Sequence, residues 1–249
     1  MATKTIQLKI KRQADPSAQP VWEEFEIPYR PNMNVISVLM EIAVNPVTKD
    51  GRPTTPIIYD SNCLEEVCGS CAMLINGRTR MACSALVDQL DQPIKLEPFS
   101  KFPTIRDLAV DRSVLFENLK KVKAWVPVDG TYDLGAGPRV SAEEQEKAYP
   151  LSRCISCCCC MEACPQFNDS TNFVGAATIS QVRLFNTHPT GAMLKTERLR
   201  ALMGDGGIHE CGYAQNCVEV CPKDIPLTRS IAEVGGSVIK QVIKDFFTR

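Results

Sequence analysis

The chain has 249 residues, 44% of them hydrophobic and 23% charged, with a formal net charge of −1 at pH 7. That composition supplies a core and excludes disorder over most of the length. The near-neutral balance gives no ground for a nucleic-acid partner, and no run of about 18 apolar residues is present to cross a bilayer.

In chain order, Ile6, Leu8 and Ile10 fall on one face of a half-buried strand within residues 4–13. A turn-like stretch, 14–20, leads to Phe25, Ile27 and Tyr29, which alternate again and predict a hairpin with the first strand. Asn34 is placed to cap a short helix carrying Val35, Val38, Leu39 and Ile42. Residues 45–62 read as loop. Ala72–Ile75 and Thr79–Cys83 flank Asn76-Gly77, a strong hairpin signal, and Ile94 and Leu96 suggest a last strand. The first hundred residues or so thus read as a small mixed β domain with one helix, ending near Pro98, Ser100 and Pro103.

Beyond that point the character is helical. Leu108, Leu115, Leu119 and Val122 have helical spacing, residues 125–140 read as loop, and Ser141-x-x-Glu144 is a capping-box pattern. Further helices are predicted at 175–187, 196–203 and 228–247. Met1–Lys11 shows neither a signal-peptide core nor an Arg/Ser-rich transit helix. A prokaryotic, cytoplasmic chain is expected, whose thiols stay reduced.

The thirteen cysteines are the anomaly. Cys63-x4-Cys68-x2-Cys71, with Cys83 following, is the plant-type [2Fe–2S] spacing. Two irons need four thiolates, mostly from one tight loop, and Gly69 and Ser70 let backbone N–H groups approach the sulfurs. Cys154-x2-Cys157-x2-Cys160-x3-Cys164-Pro165 is the run of two-cluster ferredoxins, in which the fourth cysteine serves the other cluster. Cys217-x3-Cys221-Pro222 repeats its ending. Internal alignment sets Cys211 opposite Cys154, Ala214 opposite Cys157 and Cys217 opposite Cys160. Crossed ligation then gives Cys154, Cys157, Cys160 and Cys221 to a [4Fe–4S] cluster. It leaves Cys164, Cys211 and Cys217, three thiolates suited to a [3Fe–4S] cluster.

Cys158 and Cys159 are left over and read as buried small hydrophobes. Structural zinc is the competing use of paired cysteines. A visible spectrum separates the two, since iron–sulfur protein is brown and zinc protein colourless. His188 and His209 are expected to be structural or surface residues, and Lys120, Lys121 and Lys123 a solvated helix face. No phosphate-cradling loop, dinucleotide fingerprint or catalytic triad can be argued, so no residue is assigned to bond-breaking chemistry.

The order of these motifs resembles the iron–sulfur subunit of succinate dehydrogenase/fumarate reductase over nearly the whole chain. The resemblance is carried by residues 61–71 (SNCLEEVCGSC), Arg106-Asp107-Leu108, the run ending Cys164-Pro165, and residues 217–223 (CVEVCPK). Residues 28–32 (PYRPN) and 188–193 (HPTGAM) look like the menaquinone-linked branch of Gram-positive bacteria. The resemblance implies an α+β chain: a β-grasp [2Fe–2S] ferredoxin domain over 1–105, then an α-helical ferredoxin-like domain over 106–249 with the [4Fe–4S] and [3Fe–4S] clusters. It implies a flavoprotein partner that oxidises succinate on FAD, a membrane anchor holding haem b, and a peripheral position on the cytoplasmic side of the cell membrane. The implied path runs from FAD through [2Fe–2S], [4Fe–4S] and [3Fe–4S] to menaquinone. A quinol:fumarate reductase subunit is the runner-up, and a free ferredoxin-like carrier a third reading. Ubiquinone-linked members carry a His where this chain has Gly212 and a Trp where it has Asp169. Both departures favour menaquinone.

Overall fold

The computed structural model describes residues 4–127 and 138–248. In chain order the elements are β1 (Thr5–Arg12), β2 (Val21–Pro28), α1 (Val35–Val44), β3 (Ala72–Ile75), β4 (Arg78–Met81), β5 (Ile94–Glu97), β6 (Thr104–Arg106), β7 (Ala109–Val110), α2 (Ser113–Lys121), α3 (Ala142–Ser152), α4 (Cys159–Glu162), α5 (Ala176–Thr187), α6 (Lys195–Ala201), α7 (Asn216–Glu219) and α8 (Leu227–Phe247). They fall into two compact units. The first comprises residues 1–112 together with Ile155–Glu162; the second comprises Ser113–Cys154 and Ala163–Arg249.

In the first unit a five-stranded mixed sheet runs β2-β1-β5-β3-β4, with β1 and β5 parallel at its centre. With α1 this is a β-grasp arrangement. The alternation in β1 puts Ile6, Leu8 and Ile10 fully inside, and antiparallel pairing sets Ile6 opposite Ile27 and Leu8 opposite Phe25. Each such burial contributes about 1.5–3 kcal/mol. Asn34 caps α1 by accepting from the Ser37 N–H at 2.8 Å, and Val35, Val38, Leu39 and Ile42 face the core. At the β3–β4 turn Asn76 and Gly77 both have positive φ, 49° and 75°, as a two-residue type I′ hairpin requires.

Two features depart from the periodicity. Leu108 does not begin a helix: residues 104–110 form the β6–β7 hairpin, and α2 starts at Ser113. The cause is Asp107, which is buried at the turn with φ 47°. Its carboxylate accepts from Arg12 Nε at 2.9 Å, Arg12 Nη2 at 3.3 Å, and the N–H groups of Gln13 and Ile58 at 3.1 and 3.0 Å. Glu23 takes the other side of Arg12 at 2.6 Å. Arg12, Glu23 and Asp107 thus form a buried ionic knot.

The second feature is the membership of Ile155–Glu162 in this unit. The Glu162 carboxylate, buried, accepts from the Ser100 N–H and hydroxyl at 2.9 and 2.6 Å and from the Lys101 N–H at 3.1 Å. That anchors α4 beside the segment following β5.

The second unit is helical. Its core takes Val174, Ile179, Val182, Leu199, Leu202, Ile231, Val234 and Val238 from α5, α6, α8 and their flanks. Ser141 accepts from the Glu144 N–H at 3.2 Å, and the Glu144 carboxylate accepts from the Ser141 N–H, completing the expected capping box of α3. Arg198, fully buried, donates to the carbonyls of Lys123, Trp125 and Gly191 at 2.9, 2.7 and 2.6 Å. A bidentate Arg200–Asp245 pair at 2.8–2.9 Å ties α6 to α8. Lys120 and Lys123 lie exposed in ion pairs with Glu117 and Glu197. His188 accepts from the Gly191 N–H through Nδ1, and His209 is exposed. Among the described residues no helix is long and apolar enough to cross a membrane.

Candidate iron–sulfur cluster sites

None of the thirteen cysteines, all within the described residues, is in a disulfide. In the first unit the loop from Cys63 to Cys71 winds tightly, with positive φ at Leu64, Glu66 and Gly69. This winding turns backbone N–H groups inward, the concave arrangement that binds anions. Cys63 Sγ accepts from the N–H groups of Glu65 and Val67 at 3.4 and 3.3 Å, and Cys68 Sγ from that of Ser70 at 3.5 Å. The Cys63 N–H, with the Ser70 hydroxyl and N–H, pulls the Cys68 thiol down to about 6.

Cys83 follows β4 and is buried with Cys71. Burial, then the hydrogen bond to Cys71 and the neighbouring Cys71 and Cys63 thiols, pushes it up to about 12. An Ala82 N–H to Cys71 carbonyl bond at 3.0 Å and a Ser84–Glu66 bond at 2.7 Å hold the two segments together. The four thiols predicted from spacing are therefore neighbours.

The donor set fits a cluster: all sulfur, with N–H groups aimed at the sulfurs that would carry negative charge. Among the described residues no three or more Cys, His, Asp or Glu side chains are gathered to hold a metal ion.

The second cysteine run is divided between the units. Cys157 and Cys160 lie in the first, Cys154 and Cys221 in the second. Around Cys157 the backbone again turns through positive φ, at Ser156 and Cys158. The Cys159 thiol, fully buried, hydrogen-bonds to Cys157. This bond and the Cys159 N–H, helped by the Arg112 cation, outweigh burial and lower Cys157 to about 7, while Cys159 is pushed up. Cys158 donates instead to the Ser156 carbonyl at 3.6 Å. The spacing left both as inert fillers; the contact of Cys159 with a ligand candidate carries no sequence signature.

Gly69 brings the two cysteine loops together. A Cβ there would sit 2.3 Å from the Ile155 carbonyl oxygen and 3.2 Å from Cys157 Cα, and its φ of 78° already favours glycine.

In the second unit Cys164, Cys211 and Cys217 line one small pocket, with Gly212, Ala214 and Ile231 also on its wall. Burial, then the charges of Cys164 and Cys211, pushes Cys217 up to about 11. Asn216, opening α7, ties this loop to the Ala163 carbonyl at 3.0 Å. Cys221 Sγ accepts from the Ile225 N–H at 3.5 Å. Ala214, which the internal alignment sets opposite Cys157, is on this wall.

The thiol order is testable in the metal-free full chain. A thiol is nucleophilic above its pKa, so at pH 7 Cys68 is mostly thiolate and Cys83 is not. Iodoacetamide at pH 7, read by peptide mass mapping, will alkylate Cys68 well before Cys83. Lowering the pH through 6 will slow Cys68. Equal labelling of the two would contradict the loop geometry.

Comparison with known proteins gives two family matches: a 2Fe-2S iron-sulfur cluster binding domain over residues 7–117 and a 4Fe-4S dicluster domain over 150–225. The succinate dehydrogenase iron-sulfur subunit of Bacillus subtilis is 58% identical over 244 residues, covering 98% of this chain and 96% of that protein. The fumarate reductase iron-sulfur subunit of Wolinella succinogenes is 32% identical over 218 residues, covering 86% and 88%. Among solved structures, a chain of the Mycobacterium smegmatis Sdh1 complex in the apo form superposes with a TM-score of 0.81. That match covers 96% of this chain and 98% of the other, at 22% identity, and speaks to the fold.

Proposed function

The chain belongs to the family of succinate dehydrogenase and fumarate reductase iron–sulfur subunits, and on that premise we propose the assignment of its ligands and partners. It is an electron-transfer subunit of succinate dehydrogenase with [2Fe–2S], [4Fe–4S] and [3Fe–4S] clusters. When bound, the clusters supply one-electron carriers between the flavin of a flavoprotein partner and a quinone at a membrane anchor. Fumarate reductase relatives are more distant, at 32% identity against 58%, which favours succinate oxidation as the working direction.

In this reading residues 1–105 form the domain of the two-iron cluster and 106–249 that of the other two. Cys63, Cys68, Cys71 and Cys83 hold [2Fe–2S]; Cys154, Cys157, Cys160 and Cys221 hold [4Fe–4S]; Cys164, Cys211 and Cys217 hold [3Fe–4S]. The backbone N–H groups facing Cys63, Cys68 and Cys221 stabilise thiolate charge and so help set potential. Burial of Cys71, Cys83, Cys157, Cys160 and Cys217 keeps water from the sulfurs. A haem b anchor, menaquinone as acceptor and a peripheral place on the cytoplasmic face of the membrane complete the proposal.

The observation that carries the assignment is the pocket of three cysteines with Ala214 at its wall. It provides three thiolates, as a three-iron cluster needs. An EPR redox titration of the native membrane complex will show three signals, in a preparation containing a flavoprotein and a membrane subunit. A colourless, zinc-loaded preparation would refute the reading.

The register within the four-cysteine run has its own test. A Cys158→Ala, Cys159→Ala double variant will keep all three EPR signals, because neither thiol is needed to reach eleven ligands. Loss of the [4Fe–4S] signal would place a ligand at one of those two positions.

A further inference from the structure

Arg112 closes the first stretch of the first unit, and its side chain does more than a terminal cation needs to do. Nη1 donates to the Gly69 carbonyl at 2.8 Å, and Nη2 to the carbonyls of Ser70 and Ala72 at 2.8 and 3.2 Å. These three acceptors flank Cys71 and follow Cys68. The guanidinium carbon lies 5.7 Å from the centre of the Phe99 ring. Gly69 is also the residue whose missing Cβ admits Cys157, with 3.2 Å from that virtual atom to Cys157 Cα and Cβ. The Gly69 carbonyl that Arg112 grips thus belongs to the residue packed directly on Cys157. The Arg112 Nε–H is buried and has no acceptor among the described residues. One cation therefore holds the backbone of the cysteine loop on which Cys157 packs, with a donor unspent.

We propose that Arg112 is a positioning residue serving two clusters at once: its planar fork fixes the Gly69–Ala72 backbone that presents Cys68 and Cys71, and its charge raises the reduction potential of the cluster held through Cys157 and Cys160. The proposal rests on the ligand assignment above. The physics is direct. Reduction adds one electron to a cluster already ringed by thiolates, and a fixed cation in a part-buried site favours the more negative state. Lysine keeps the charge but not the fork that grips three carbonyls.

The test uses the intact membrane complex carrying R112Q, R112M or R112K, with iron and sulfide assayed and each cluster titrated by EPR. In R112Q and R112M the reduced-to-oxidised ratio of the [4Fe–4S] cluster at fixed potential will fall roughly tenfold, a downward shift of about 59 mV for a one-electron couple. R112K will hold that potential near the native value while altering the [2Fe–2S] line shape. Three results overturn the proposal: unchanged potentials in iron-replete R112Q, an equal fall in R112K, or iron loss in both neutral variants, which would make Arg112 a scaffold alone. A failure of the underlying ligand assignment shows separately, as a Cys160→Ser complex whose [4Fe–4S] signal is unchanged.

Discussion

An Ala214→Cys variant is expected to carry a four-iron cluster where the native chain carries a three-iron one. Ala214 shares a pocket wall with Cys164, Cys211 and Cys217, and a thiolate one bond beyond its methyl completes the set of four that a [4Fe–4S] cluster takes. Cluster type and net charge are among the main controls of potential, so the converted centre will be harder to reduce. The step onward to quinone is then fed by a poorer electron acceptor. Quinone-linked turnover will fall roughly tenfold, equivalent to about 1.4 kcal/mol in the barrier. Succinate oxidation read with an artificial acceptor at the flavin will persist. Oxidised-state EPR decides the matter, since the native three-iron centre is paramagnetic and an ordinary oxidised four-iron centre is silent. An iron-replete variant that keeps the three-iron signal would show that Ala214 faces away from the cluster.

The largest effect on stability is expected at Asp107. Replacing it with alanine leaves the Arg12 guanidinium buried with Glu23 as its remaining carboxylate, and strips the acceptor from the N–H groups of Gln13 and Ile58. Removing one partner of a buried ion pair typically costs about 3–5 kcal/mol, because the other charge stays desolvated. Urea unfolding of the first unit, followed through Trp22 in a Trp125→Phe background, will show a loss of that size. A loss below about 1 kcal/mol would mean that the knot contributes little. Asp107→Asn, which keeps an acceptor but not the charge, will fall between the two.

Elements whose cause is local could be read from the sequence. The Ile6–Leu8–Ile10 alternation, the Asn76-Gly77 turn, the Ser141–Glu144 box and the helices α5, α6 and α8 each follow from spacing or from one residue's backbone preference. The two cluster domains were legible for the same reason, since the spacing of cluster cysteines is set by the loop that must wrap a cluster. What escaped depended on partners distant in sequence. Arg12, Glu23 and Asp107 have no local pattern that pairs them; they come together only when β1, β2 and the β6–β7 turn meet, and that meeting turns Leu108 out of its expected helix. Glu162 and Arg112 gave no periodic signal, because one anchors to backbone N–H groups near residue 100 and the other to carbonyls near residue 70. Cys159 is buried as its place outside the ligand spacing suggests, while its hydrogen bond to Cys157 leaves no pattern in spacing.

The discontinuity of the first unit has a consequence for how the chain is made. Its last piece, Ile155–Glu162, lies some fifty residues beyond Arg112. At 5–20 residues per second, a ribosome that has finished Arg112 works for roughly 3–10 s more before that piece exists. During this interval the Cys63–Cys71 loop has been made while the flank beside Gly69 lacks its backbone neighbour. A two-iron cluster inserted during synthesis thus meets a half-walled seat, open on the side that Ile155 and Cys157 later cover.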